Sequence, residues 1–338
     1  MNSLGVGCAA VCAAAETRAH HISPAAEAGA RNLMTDIVSA RSREPAGWRA
    51  RARSAASALC TITAIATLAG CAWLDVKERT LIYRPTPGHP DAFTALRSGD
   101  ETYLISVPAA GPGTSDKLAI WWLPPADPAA PTLLYLHGTF RNLYRNHPKM
   151  EALRAAGFGV LAVDYRGWGD STPIVPSQKT IVADADVAWA ELVRRQPEPN
   201  KRVIYGHSLG GAVAIDLASR KHVGRDYAAL IVESTFTSLV DLAASAAGPL
   251  GPIAVWISGE SFDSLSRIGR VDAPILMLHG DRDSTVPVEL GRKLRDAAPA
   301  GVQWVEIAGG SHSRLHEEAP EKYREALTTL IAALPPSP

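Results

Sequence analysis

Cysteine is the first scarcity. The chain has four, Cys8, Cys12, Cys60 and Cys71, and none in the 267 residues that follow. A body without thiols holds no disulfide and no thiolate metal site, and Cys8 and Cys12 lack Cys or His partners at zinc-ligand spacing. Net charge is also absent, since 34 basic and 34 acidic side chains cancel, so no basic balance points to nucleic acid. There is no P-loop, no dinucleotide fingerprint, no cluster of metal ligands and no internal repeat. No cofactor or metal is expected. No apolar run reaches the ~20 residues of a membrane-spanning helix. What remains is a chain of 338 residues, 46% hydrophobic and 20% charged, enough for a sizeable core in one large or two small domains.

The first 70 residues are a different composition. They hold seven arginines and no lysine, a basic leader on a mildly acidic body. Arg49, Arg51 and Arg53 precede an apolar run from Ala55 to Ala69, about the length of a signal-peptide core. The run ends Leu68-Ala69-Gly70-Cys71. This string resembles the bacterial lipobox, in which the cysteine becomes the lipidated first residue. The resemblance implies export and a lipid anchor at Cys71 on the periplasmic face. Ala72, where an aspartate would retain the protein at the inner membrane, favours the outer one. An uncleaved amphipathic anchor with an incidental cysteine is the other reading. About 48 residues precede the signal-like segment, whereas a start at Met34 would give a leader of ordinary length. The expected division is a leader over 1–70, a tether and linker over 71–94, and one domain over 95–338.

Within that domain strands alternate with helices. Glu101 to Val107 and Lys117 to Leu123 read as an opening hairpin. Thr132 to Leu136, Gly159 to Val163, Lys201 to Tyr205, Ala229 to Val232 and Pro274 to Leu278 are short, nearly uninterrupted apolar runs, the pattern of parallel strands buried on both faces. Val302 to Ile307 is the last strand. Helices are expected at Pro148 to Ala156, Ser177 to Arg194, Ala212 to Ala218, Leu239 to Ala247, Glu289 to Ala297 and Glu317 to Leu334. The order predicts an α/β fold with a doubly wound, mostly parallel sheet, whose ligands sit beyond the carboxyl ends of the strands. His137-Gly138, Arg166-Gly167, Ser208, Glu233, Asp283 and His312 all fall just after strands.

The stretch Val203-Ile-Tyr-Gly-His-Ser-Leu-Gly-Gly211 carries the chemistry. It reads as strand, sharp turn and helix, with Gly206-x-Ser208-x-Gly210 at the turn, the arrangement of a nucleophile elbow. A serine hydroxyl needs a base, and the base needs a carboxylate to fix its tautomer. His312, in the Gly309-Gly310-Ser311-His312 loop, is the candidate base. His207 adjoins the serine, but its side chain should diverge from it. His137 and His279 precede glycines and fit loop-shaping roles, and His316 fits a helix start. Asp283 is the candidate acid, with Glu233 as its rival, Asp281 serving a turn and Asp263 a helix cap. The chain order Ser208, Asp283, His312 is that of the α/β-hydrolases. The motifs LHGTF, DYRGWGDS, GHSLGG, HGDRDSTVP and GGSH, in this order over residues 95–335, resemble single-domain α/β-hydrolases of the serine aminopeptidase-like and esterase-like group. That resemblance implies an oxyanion hole from the backbone N–H groups of Leu209 and Thr139, with Phe140 the neighbouring alternative. It also implies a serine hydrolase acting on small ester or acyl substrates, with thioesters or small amides in reach.

Ser208 in place of an aspartate nucleophile argues against dehalogenases and epoxide hydrolases. Asp164-Tyr165-Arg166-Gly167 is expected to brace the cleft wall. About 35 residues between Phe236 and Val271 are too few for a large lid. They supply either one ordinary helix or an acyl pocket lined by Trp256, Ile257 and Phe262. Two other functions stay open, a non-catalytic envelope lipoprotein that binds through this fold, and a serine peptidase. A peptidase should carry an acidic cluster for a substrate amino terminus, and none is visible.

Overall fold

The computed structural model describes residues 46–335 apart from 112, 114 and 249–258. The described residues divide into one unit up to Ala69 and a second from Gly70 onward. A long helix, α1 (Ala46–Tyr83), comes first. The expected tether is therefore helical as far as Tyr83. The reason lies at its end, where the Tyr83 ring is fully buried and packs edge-on against Phe262 at 6.2 Å. Its hydroxyl donates to the Glu260 carboxylate. Among the described residues no helix is long and apolar enough to cross a membrane.

Among the described residues eight strands form one sheet: β1 (Glu101–Val107), β2 (Asp116–Leu123), β3 (Thr132–Leu136), β4 (Gly159–Asp164), β5 (Arg202–His207), β6 (Ala229–Glu233), β7 (Ile275–Gly280) and β8 (Gln303–Ile307). Their order is β1-β2-β4-β3-β5-β6-β7-β8. The β1–β2 and β2–β4 pairs are antiparallel and every other pair is parallel. The five central strands β3 to β7 are buried at every position, which explains their unbroken apolar runs. Alternate residues feed two cores. Leu134, Leu136 and Ile204 face one layer of helices, and Leu133, Tyr135 and Val203 face the other.

After α1, the helices among the described residues are α2 (Leu143–Ala155), α3 (Gln178–Arg195), α4 (Leu209–Ala218), α5 (Leu239–Ala247), α6 (Leu265–Ile268), α7 (Val288–Ala297), α8 (Leu315–Glu318) and α9 (Pro320–Ala333). Three differ from expectation. α4 begins at Leu209, three residues before Ala212 and directly after the serine. α2 begins five residues before Pro148, because Asn142 caps it by accepting a hydrogen bond from the Arg145 N–H. The closing helix is split at Pro320, which lacks an N–H and so opens a new helix. The chain leaves β3 toward β4 on one side and returns past it to β5. The crevice at that reversal, beyond the carboxyl ends of β3 and β5, is where such sheets hold ligands.

Candidate active site

Ser208 sits between β5 and α4 with φ 56 and ψ −120, a conformation that costs a non-glycine residue roughly 1–3 kcal/mol. Its neighbours permit it. A Cβ on Gly206 would lie 2.1 Å from the Gly210 carbonyl oxygen, and one on Gly210 would lie 1.9 Å from that of Leu136. The turn is held from behind, since the Ser208 N–H donates to the Glu233 carbonyl at 2.9 Å and the Thr235 hydroxyl donates to the Ser208 carbonyl at 2.9 Å. Strain at Ser208 is thus fixed by β6, the next strand over.

The hydroxyl of Ser208 lies 2.9 Å from His312 Nε2, and His312 Nδ1 lies 2.7 Å from Asp283 Oδ2. An ionised carboxylate only accepts, so the proton of neutral His312 is on Nδ1, and Nε2 is free to accept from the serine. Asp283 is ionised. Burial alone would raise its pKa, but the hydrogen bond from His312, the His279 ring N–H 3.5 Å away and the Val286 N–H hold it well below the ordinary carboxylate value. Its other oxygen accepts from the N–H groups of Thr285 and Val286 at 2.9 and 2.8 Å. The carboxylate is therefore aimed by its own loop. Thr139 and Leu209 line the same groove as the serine. Leu209 is the first residue of α4, so its N–H belongs to the turn that has no intrahelical acceptor.

Two compartments meet here. An apolar groove of about 290 Å³ is lined by Ser208, Leu81, Ile82, Phe236, Leu242 and Ala243, among others. A polar one of about 390 Å³ is lined by His312, Arg141, Asn146, Ser284, Ser313 and Arg314, among others. They share Thr139, Phe140 and Thr285. The serine opens to the apolar side and the base to the polar side.

A model of the family described as serine aminopeptidase, S33, matches residues 127–267. An uncharacterised protein of Mycobacterium tuberculosis is 32% identical over 240 residues, covering 70% of this chain and 81% of that protein. The lysophosphatidylserine lipase ABHD12 of Danio rerio is 32% identical over 198 residues, 54% of this chain and 51% of that one. Among solved structures, an esterase of Pyrococcus furiosus superposes with a TM-score of 0.58 at 20% identity, covering 74% of this chain and 97% of the other.

The chain belongs to the α/β-hydrolases.

In this α/β-hydrolase the rival carboxylate has another task. Glu233 is fully buried and forms an ion pair with the buried Lys149 of α2. It also accepts from the Tyr205 and Tyr323 hydroxyls at 2.5 and 2.9 Å. Burial opposes its ionisation, but the Lys149 charge and these hydrogen bonds outweigh burial and keep its pKa low. It bears no hydrogen bond to His312 among the described residues. Arg166 ties Asp184 of α3 to Asp116 of β2, a cross-link between helix and sheet. His279 donates to the Val286 carbonyl at 2.9 Å and shapes the Asp283 loop. His137 is buried against its own Gly138 carbonyl at 2.6 Å, and burial pushes its pKa down to about 4.

The structure gives His207, beside the serine, a role of its own. Its Nε2 donates to the His312 carbonyl at 2.9 Å. Burial, Lys149 and His312 hold its pKa well below the usual value, so it is a neutral donor pinning the glycine-flanked loop that carries the base. No sequence signal links two residues 105 positions apart. Phe262 does not line the apolar groove. It is buried in the core beside Tyr83, while α5 supplies Leu239, Leu242, Ala243 and Ala246 to the groove. Trp256 and Ile257 lie outside the described residues. Cys71 is an exposed free thiol on α1.

Proposed function

We propose that this hydrolase cleaves carboxylic esters through an acyl-enzyme, with Ser208 as nucleophile, His312 as base and Asp283 as the carboxylate behind it. The observation that carries the reading is the hydrogen-bonded Ser208–His312–Asp283 chain opening onto an apolar groove. Ser208 Oγ attacks the acyl carbon while its proton passes to His312 Nε2, and Asp283 stabilises the imidazolium. The Thr139 and Leu209 N–H groups receive the oxyanion. Collapse breaks the acyl–oxygen bond, and the alcohol leaves with the proton of His312. Water, activated by the same imidazole, then releases the acid. Thioesters and small amides fit the same chemistry.

The acyl chain belongs in the apolar groove, because that side adjoins the serine. With acyl esters of a common chromogenic alcohol, kcat/KM should rise roughly three- to fourfold per added methylene until the groove is full. Ala243→Trp, which fills the groove from α5, should move that optimum to shorter acids. A flat chain-length profile in the wild type would refute the groove as acyl site. A peptidase reading is less favoured, since the polar compartment is lined by two guanidinium groups and no carboxylate that could hold a substrate amino group.

The lipobox-like string and the exposed Cys71 thiol support a further proposal, that the protein is exported and lipid-anchored through Cys71. Several acyl chains on one cysteine would hold it stably, where one chain binds only marginally. Cys71→Ser should leave an unprocessed precursor and stop labelled palmitate incorporation. Equal incorporation in the variant would overturn the anchor.

A further inference from the structure

We propose that the polar compartment beside His312 selects esters whose alcohol portion carries an anion, a phosphate or a carboxylate, held by Arg141 and Arg314. The inference rests on the ester-hydrolase reading and adds the class of leaving group. The base that protonates the departing oxygen must face it, so the alcohol lies on the His312 side of the serine. That side is the polar compartment, which adjoins the acyl groove at Thr139, Phe140 and Thr285.

Its lining fits an anion. Arg141 and Arg314 contribute the two charges, and no carboxylate lines the space. Arg141 has no side-chain hydrogen bond or ion pair among the described residues. Arg314 is anchored by its Nε, which donates to Glu317 at 2.7 Å. That bond orients the head and leaves its two terminal nitrogens without a partner among the described residues. Such a fork matches phosphate or carboxylate with two parallel hydrogen bonds. Ser284 and Ser313 add hydroxyl donors, while the Ser311 hydroxyl is already donated to Glu318 at 2.6 Å. Glu317 and Glu318 thus offset part of the local charge but do not line the compartment. Both arginines are exposed, so the anion would be read at the mouth, where it also remains partly hydrated.

The test compares three esters with one acyl chain: a glycerol ester, a glycerol phosphate ester and an ester of glyceric acid. In the wild type, kcat/KM should favour one or both anionic esters over the glycerol ester, and the two anionic arms tell phosphate from carboxylate. In Arg141→Gln/Arg314→Gln, the ratio of anionic to neutral kcat/KM should fall roughly 10- to 100-fold, the effect of losing charge-assisted hydrogen bonds. Arg314→Lys, which keeps charge but loses the fork, should lie between. A wild-type preference for the neutral ester, or a ratio unchanged in the double variant, overturns the proposal. Should none of the three esters be cleaved, the ester reading fails separately. Calorimetric binding of inorganic phosphate to full-length Ser208→Ala then decides the site, since binding lost in the added arginine variants upholds it and binding absent or unaltered refutes it.

Discussion

Ser208→Ala should lower ester turnover by roughly 10⁶-fold while leaving the fold and the groove in place, because the residue is the head of a unit that works together. The same change should abolish labelling by a fluorophosphonate, which reports on an activated serine hydroxyl rather than on turnover. Both expectations follow from geometry. The hydroxyl is 2.9 Å from His312 Nε2, and the backbone that presents it is in a conformation a serine does not adopt unless surrounding structure imposes it. Alanine keeps that backbone and the Thr235 and Glu233 bonds to it, so stability should change little. Other hydroxyls stand close by. Ser284, Ser311 and Ser313 line the adjoining compartment, and a probe that still modified one of them in the variant would remove Ser208 from its assigned role. Removing the nucleophile should leave binding intact, so the variant also serves to trap substrate.

The sheet was legible because parallel strands buried on both faces leave a simple trace, short apolar runs closed by glycine or a charged residue. Thr132–Leu136 and Ile275–Gly280 show it plainly. The elbow was legible for a different reason, since close approach of backbone to backbone at Gly206 and Gly210 tolerates no side chain. What escaped was tertiary. Lys149 lies on α2, and nothing in the neighbouring sequence marks it as buried, yet it pairs in the interior with a glutamate 84 positions away. Helix α1 continues through a stretch that looks like linker, since Tyr83 reaches the core and meets Glu260, 177 positions on. His207 serves the base through a backbone carbonyl, an acceptor every residue has, so no residue type marks the contact. Local pattern records burial and turns. It does not record which distant partner a polar side chain finds.

Asp283→Asn should cut kcat by roughly 10⁴-fold at neutral pH with little effect on the fold, as the equivalent change does in the serine protease triad. The asparagine can donate to His312 Nδ1 through its amide and so favours the tautomer with the proton on Nε2, which can no longer accept from Ser208. It also removes the charge that stabilises the imidazolium. Glu233→Gln should behave in the opposite sense. Glu233 neutralises Lys149 at a site where both side chains are buried, and breaking a buried ion pair from one side costs about 3–5 kcal/mol because the remaining charge is stranded. The expected result is a fall in Tm on the order of 10 °C, with kcat of the folded fraction far less affected than in Asp283→Asn. The two carboxylates also differ with pH. Both have folded pKa values below their unfolded ones, so each contributes stability that is present above the unfolded value near pH 4 and is lost as pH falls toward the folded value. Glu233→Gln should therefore flatten the wild-type decline of Tm below about pH 4. The measurements are kcat, Tm and Tm against pH for both variants. Greater loss of kcat in Glu233→Gln, with Tm unchanged, would place the acid at the end of β6 and not in the loop after β7.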